Sequence, residues 1–244
     1  MIKIFKLKIL QVIIFENYRL ISRRIIFLFS MLIICLFSSN CSQFALYQNA
    51  YYAAKDFIAT DTFELNNSII SNPYAMELVS FENQTAVMVL AYADPGNRLT
   101  YLDSVGNSVI LLSGKIIVTS GTINDMEMIN PPNLNQIFYQ LRDSNNHSIT
   151  KKSLIRFSNP KTDYLQLIQR YRILNSVNSS YQKIIGEGET SYKLLEESFE
   201  IEEILWKGKN IYWVDDYGTV FKSKQYTSPN SSKFFLETLK AYSS

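Results

Sequence analysis

The sequence predicts a mainly β domain: an antiparallel meander that closes as a barrel-like sheet or folds as a sandwich, with a short helix at its N-terminal and C-terminal ends. Three observations predict it. Residues 85–93 form a continuously apolar run that ends at Asp94-Pro95-Gly96-Asn97, the composition of a buried strand followed by a turn. Gly114 separates two runs rich in Val, Ile and Leu, residues 108–113 and 115–119, in the pattern of a β-hairpin. Near the C-terminus, Asp216-Tyr217-Gly218 reverses the chain between the strand-like segments 211–215 and 219–226.

The remaining elements follow in chain order. Residues 43–59 carry Phe44, Tyr47, Tyr51, Ala54 and Ile58 at helical spacing, which predicts a short amphipathic helix or tether. Turn residues at 66–68 and 71–73 precede an alternating stretch, 74–81, that reads as a half-buried strand. A short strand is expected at 99–103. Pro131-Pro132 and the polar run 142–148 predict an excursion or loop between two halves of the sheet. Residues 164–174 fit a helical or a strand period in part and are assigned to a strand; 206–210 reads as a turn; and 233–242 places Phe235, Leu236 and Leu239 on one helical face, predicting a C-terminal helix.

Charge is distributed unevenly. The first 24 residues hold six basic side chains and one acid, and residues 25–40 hold none of either. From Cys41 onward there are 18 basic and 21 acidic side chains, a net charge of −3, so no basic stripe exists to follow a phosphate backbone and nucleic-acid binding is set aside. The basic start, the apolar run 25–37 and the small or polar Ser38-Ser39-Asn40 have the three-part order of a secretory signal. That run is too short to span a bilayer, which needs about 20 apolar residues, so cleavage is expected rather than a spanning anchor.

Of the two cysteines, Cys35 lies inside the apolar run and Cys41 at its end, so the exported chain can form no internal disulfide. The segment Leu36-Phe37-Ser38-Ser39-Asn40-Cys41 resembles a lipobox, although Asn40 and Ser38 depart from its usual pattern. Lipidation of Cys41 is the favoured reading, with a plain signal peptide and an incidental cysteine as the alternative. The expected organisation is a signal peptide at 1–40, a lipid tether with a short helix at 41–72, and one β-rich periplasmic domain at 73–244.

Asn72-Pro73-Tyr74-Ala75, the strand ending Leu90-Ala91-Tyr92-Ala93, the Gly114-Lys115 hairpin, Asn210-Ile-Tyr-Trp-Val-Asp-Asp-Tyr-Gly218 and Ser223-Lys-Gln-Tyr226 together resemble the group 4 capsule polysaccharide lipoproteins, the YjbF and GfcB family. Tyr101 and the segment before Tyr164 depart from that pattern. The resemblance implies a lipoprotein of the periplasmic face of the outer membrane, held by lipid on Cys41, which assists capsule or exopolysaccharide assembly and export. Its implied partners are the membrane and either polysaccharide export machinery or polysaccharide itself. The family carries no catalytic motif onto this chain, and only Cys41 transfers as a functional position.

The residues themselves give no enzyme. The single histidine, His147, sits among Ser and Asn with no ligand-spaced Cys or acid, and reads as solvated; no metal site or cofactor motif is expected. No Gly-x-Ser-x-Gly elbow occurs, and Gly186-Glu187-Gly188 reads as a turn rather than a phosphate loop. The pairs Glu202-Glu203 and Asp215-Asp216 are adjacent, so on a strand their carboxylates point to opposite faces and cannot form a two-carboxylate glycosidase site. Glu196, Glu197, Glu200, Glu202 and Glu203 read as a solvated charge run. Of the neighbours Tyr212 and Trp213, only one can face the core, and Trp213 is assigned to it. Three functions stay open: a non-catalytic export lipoprotein, a sugar-binding lipoprotein and a structural envelope protein.

The lipidation reading is tested by Cys41→Ala, which should abolish labelled palmitate incorporation and release the protein from membranes. A variant that stays membrane-bound and labelled would contradict it.

Overall fold

Hairpin after hairpin, with turns set by Asp, Asn and Gly, winds the chain into a closed twelve-stranded antiparallel barrel. The computed structural model describes residues 73–82, 84–144, 147–182 and 189–242. Cys41, the signal segment, the expected N-terminal helix and Gly186-Glu187-Gly188 lie outside them.

The strands are β1 (Met76–Phe81), β2 (Gln84–Ala93), β3 (Arg98–Leu102), β4 (Ser108–Leu112), β5 (Lys115–Ser120), β6 (Met126–Ile129), β7 (Ile149–Phe157), β8 (Leu165–Gln182), β9 (Glu189–Ile201), β10 (Trp206–Val214), β11 (Val220–Gln225) and β12 (Phe234–Lys240). Helix α1 (Leu134–Asp143) connects β6 to β7. Each strand pairs with its neighbour in sequence, and β12 returns to β1, matching Val79 to Leu236 and Leu78 to Glu237. Closure leaves no edge strand along the wall. Because the strands run alternately up and down, the connections β1/β2, β3/β4, β5/β6, β7/β8, β9/β10 and β11/β12 gather at one end, the loop end. Helix α1, the start of β1 and the finish of β12 lie at the other, the helix end.

The turns follow from side-chain chemistry. Asp94 Oδ1 accepts from the Arg98 amide at 2.8 Å, and Asp215 Oδ1 accepts from the amides of Tyr217 at 2.9 Å and Thr219 at 2.8 Å. Gly114 sits at φ +81°, where a Cβ would come within 2.4 Å of Val220 Cβ, so the β4/β5 turn admits only glycine.

Twelve strands enclose a wider lumen than side chains of one small barrel can fill. Among the described residues, side chains pack into that lumen. Toward the loop end a core of Tyr101, Val109, Leu111, Ile116, Ile155, Phe199, Leu236 and their neighbours packs with Phe157 and Trp206, whose ring centres are 5.6 Å apart in an edge-to-face contact. Helix α1 caps the helix end. Its apolar residues Leu134, Ile137, Phe138 and Leu141 recur at three- and four-residue spacing and pack on Tyr171, Leu195, Tyr212 and Val214. Asn133 caps the helix by accepting from the Gln136 amide, and the Tyr139 hydroxyl donates to the Tyr217 carbonyl at 2.7 Å, tying the helix to the β10/β11 turn. A separate apolar cluster, Met76, Val87, Val89, Ala91, Leu102 and Leu239, lies on the outer face of β12, β1, β2 and β3. That explains why residues 85–93 are apolar without alternation: Met88 faces in, its neighbours Val87 and Val89 face out, and all three are buried.

The structure corrects several expectations. The C-terminal segment is strand β12, not a helix, because its Phe234 and Leu236 alternate into the barrel beside Val79 and Ser223. The period-3.6 reading of Phe235, Leu236 and Leu239 lost to strand pairing on both sides. Residues 206–210 are the first half of β10, with Gly208 admitting the rings of Phe199 and Tyr226. The expected excursion or loop at 131–148 contains helix α1, and strand β7, which was not expected, follows it at Ile149.

Candidate functional site

Midway along the lumen the apolar parity of four strands is broken by polar residues. In β9 the inward series reads Leu195, Glu197, Phe199, Ile201; in β8 it reads Leu167, Gln169, Tyr171; in β10, Asn210, Tyr212, Val214; in β11, Ser223 and Gln225. Lys115 opens β5 opposite them. All of these are buried, and Lys115, Glu197, Gln169, Tyr171, Tyr212 and Gln225 are each no more than 2% exposed.

Glu197 is the centre. Its carboxylate accepts from Lys115 Nζ at 2.7 Å on both oxygens, from Gln169 Nε2 at 2.6 Å, from the Tyr171 hydroxyl at 3.1 Å, from Asn210 Nδ2 at 3.0 Å and from the Tyr212 hydroxyl at 2.5 Å. Gln225 extends the network: its Oε1 accepts from the Ile116 amide at 3.0 Å, and its Nε2 donates to the Gly114 carbonyl at 2.8 Å and to Ser223 Oγ at 2.9 Å. Asn210 Oδ1 takes the Tyr226 amide at 2.8 Å, and the Ser153 hydroxyl lies 2.8 Å from Gln169 Oε1. Among the described residues, the only buried side-chain polar atom without a partner is Ser104 Oγ, which is outside this network.

Burial alone would push the Glu197 carboxyl up, but Lys115 and the hydroxyl and amide donors outweigh it and hold the carboxyl below its ordinary value. Burial pushes the Lys115 ammonium down, against the pull of Glu197. Burial, reinforced by the Glu197 charge, raises the phenols of Tyr171 and Tyr212 well above their usual range, so both remain neutral donors. The arrangement is a fully engaged ion pair. A cavity of about 10 Å³ adjoins it, lined by Lys115, Glu197, Asn210, Gln225 and the Phe199, Trp206 and Tyr226 rings, which has room for one water and not for a sugar ring.

A second buried carboxyl faces the lumen from β1. Glu77 accepts from Thr238 Oγ1 at 2.8 Å, and its carboxyl is pushed up to about 8, mainly by burial, with Glu237 adding to the rise. Glu237 is itself pushed up to about 7 by burial, and lies 3.2 Å from Lys222 Nζ.

Two sequence expectations change here. Glu196 and Glu197 do not belong to a solvated run: both are buried, while Glu200, Glu202 and Glu203 are exposed as expected. Tyr212, not Trp213, is the core aromatic, because its register partners Leu195 and Ser223 both face the lumen. Trp213 stands half-buried on the outer face with Lys222 Nζ 5.9 Å from its ring centre. His147 is exposed, and Asp216 lies in the β10/β11 turn, where it accepts from Ser191 Oγ at 2.9 Å. No group of three His, Cys, Asp or Glu suited to a metal occurs among the described residues.

Against known proteins, the model of the YjbF family, described as group 4 capsule polysaccharide lipoprotein gfcB, YjbF, matches residues 48–239. That span includes every strand but the last residue of β12. The chain belongs to this family of capsule polysaccharide lipoproteins. The crystal structure of the hypothetical lipoprotein YmcC from Escherichia coli (K12) has a similar fold, with a TM-score of 0.58 and 17% identity over 72% of this chain and 89% of that one. At that identity the likeness concerns the fold. No curated protein matches significantly.

The Glu77 shift carries a pH dependence whose sign can be worked out. Glu77 holds its proton in the fold up to about 8, whereas the unfolded chain ionises near 4.5, so its contribution is full below 4.5 and is lost as pH rises toward 8. Glu237 acts in the same direction up to about 7. Denaturant unfolding of the native protein should therefore show stability falling from pH 5 to 8, and Glu77→Gln should reduce that slope and raise stability at pH 8. An unchanged slope in the variant would refute the burial argument.

Proposed function

We propose that this chain is an outer-membrane lipoprotein, anchored on the periplasmic face through lipid on Cys41, that assists capsule or exopolysaccharide assembly and export without catalysing a reaction. The observation that carries this reading is the family match across residues 48–239, the whole of the described barrel but its final residue. The interior supports the non-catalytic part. Glu197, the carboxylate most shielded from water, has both oxygens engaged by protein donors, and the adjoining space admits no substrate. A general base needs a free acceptor within reach of the proton it removes. The partners in this reading are the membrane, and polysaccharide export machinery or polysaccharide.

A second reading, glycan binding, rests on Trp213. Its half-buried ring on the outer face offers an aromatic surface on which a sugar could stack.

Deleting the gene should lower surface or secreted polysaccharide while leaving polymer synthesis intact, measured as polymer in cell-associated and released fractions. Normal surface polymer under conditions where the parent strain makes it would overturn the export reading. Trp213→Ala in the complemented strain separates the two readings. Export assistance predicts wild-type polymer levels, and glycan binding predicts their loss at unchanged melting temperature.

A further inference from the structure

The loop end of the barrel carries apolar side chains where water should favour polar ones. Val105 in the β3/β4 loop is 74% exposed, Ile123 in the β5/β6 loop 77%, and Leu205 in the β9/β10 loop 89%, with Tyr164 of the β7/β8 loop 38% exposed. These are successive connections around one rim. Bonds from the β7/β8 loop hold two of them together: the Asn159 amide donates to Asn124 Oδ1 at 2.9 Å.

The tips are rigidly presented. Asp103 Oδ1 accepts from the amides of Val105 at 2.9 Å and Asn107 at 2.8 Å, and Asp125 Oδ1 accepts from the Thr122 amide at 2.8 Å. Leu205 is held at φ 52°, ψ 31°, the left-handed conformation that Gly and Asn adopt cheaply and a branched apolar residue does not. Neither its backbone nor its exposure gives the fold a reason to prefer leucine there. A strained, exposed apolar residue at a loop tip is therefore an observation pointing outward, to contact with something else.

Charge narrows what that is. The six connections of the loop end present to solvent the acids Glu82, Asp125, Asp163, Glu202 and Glu203 against the bases Lys161 and Lys233, while the Asp103 carboxylate is buried in its own turn. An anionic lipid surface would repel that rim. β1 starts at the helix end, so the described chain enters the barrel at the end away from these tips.

We infer that the loop end is a docking surface for another protein, one that offers apolar pockets for Leu205, Ile123 and Val105 within a basic rim. The apolar tips supply the anchors and the acids supply steering and register. This surface does not depend on the polysaccharide reading, and either can fail without the other.

The test uses the full-length protein in its own cells, with a photo-crosslinking amino acid at position 105 and, as a control at the helix end, at position 217, where Tyr217 is 80% exposed. The expected result is an adduct at 105, absent at 217, with a different protein whose crosslinked peptide, identified by mass spectrometry, carries Lys or Arg beside apolar residues. In the Ile123→Ser/Leu205→Asn background its yield should fall by about tenfold or more, the loss expected for removing one or more interface anchors. The variant's melting temperature should not fall, since Asn relieves the left-handed strain at 205. No adduct, an equal adduct at 217, an adduct with a second copy of this chain, an adduct insensitive to the double substitution, or binding to phosphatidylethanolamine–phosphatidylglycerol vesicles that the double substitution abolishes would each overturn the inference.

Discussion

The contact between Lys115 and Glu197 ties the barrel together across its own lumen. The two residues open β5 and occupy the middle of β9, strands separated by three others in the wall, and their ion pair is 2.7 Å long with both side chains almost wholly buried. A buried pair of this kind stabilises only if every remaining lone pair and proton is used, since the desolvation of two ions costs several kcal/mol each. Here the remaining positions are used by side chains from β8 and β10, namely Gln169, Tyr171, Asn210 and Tyr212. Gln225 of β11 closes the circuit onto the backbone of the β4/β5 turn and β5. Five strands thus meet at one carboxylate or its immediate partners.

The rest of the architecture follows from that belt. A twelve-stranded barrel is wide enough to leave a channel unless something fills it. Large side chains with polar tips solve the problem in the middle, where Tyr171 and Tyr212 extend their rings through apolar surroundings and deliver their hydroxyls to Glu197. Below the belt, α1 seals the helix end with Leu134, Ile137, Phe138 and Leu141. Above it, the aromatic cluster of Phe157, Phe199, Trp206 and Tyr226 fills the loop end. Among the described residues the interior is occupied by packed side chains, so what these residues offer to the surroundings is the outer wall, the ends and the loops.

Part of the sheet was legible in the sequence because apolar runs, alternation and turn residues act locally: β1 to β5 and β11 lie within two residues of where those signals place them, whereas β8 (Leu165–Gln182) runs well past the expected 164–174 and β6, β7 and β9 were not expected. The belt was not read from it. Its signal is present, though: a polar residue on the apolar parity of a strand, as in Leu195-x-Glu197-x-Phe199 or Leu167-x-Gln169-x-Tyr171, is a residue that must be buried and satisfied. Reading Glu197 together with its acidic neighbours as one charge run ignored the alternation that separates it from Glu200 and Glu202. The Tyr212 and Trp213 parity was undecidable from two adjacent aromatics and is settled by cross-strand register, a non-local property. Strand β12 was misread because three apolar residues in a short segment satisfy a helical face as readily as a strand, and only the pairing with β1 and β11 decides. Cys41 belongs to a different kind of inference, one drawn from export chemistry rather than from folding.

The belt's role is tested most directly by a double-mutant cycle in which Lys115→Met, Glu197→Leu and the double substitution are compared by denaturant unfolding. If the cross-lumen pair organises the barrel, each single change strands a buried charge or its donors and costs about 3–5 kcal/mol, while the double change costs less than the sum by roughly 1 kcal/mol or more. Single variants within about 0.5 kcal/mol of the native protein, or losses that simply add, would contradict it.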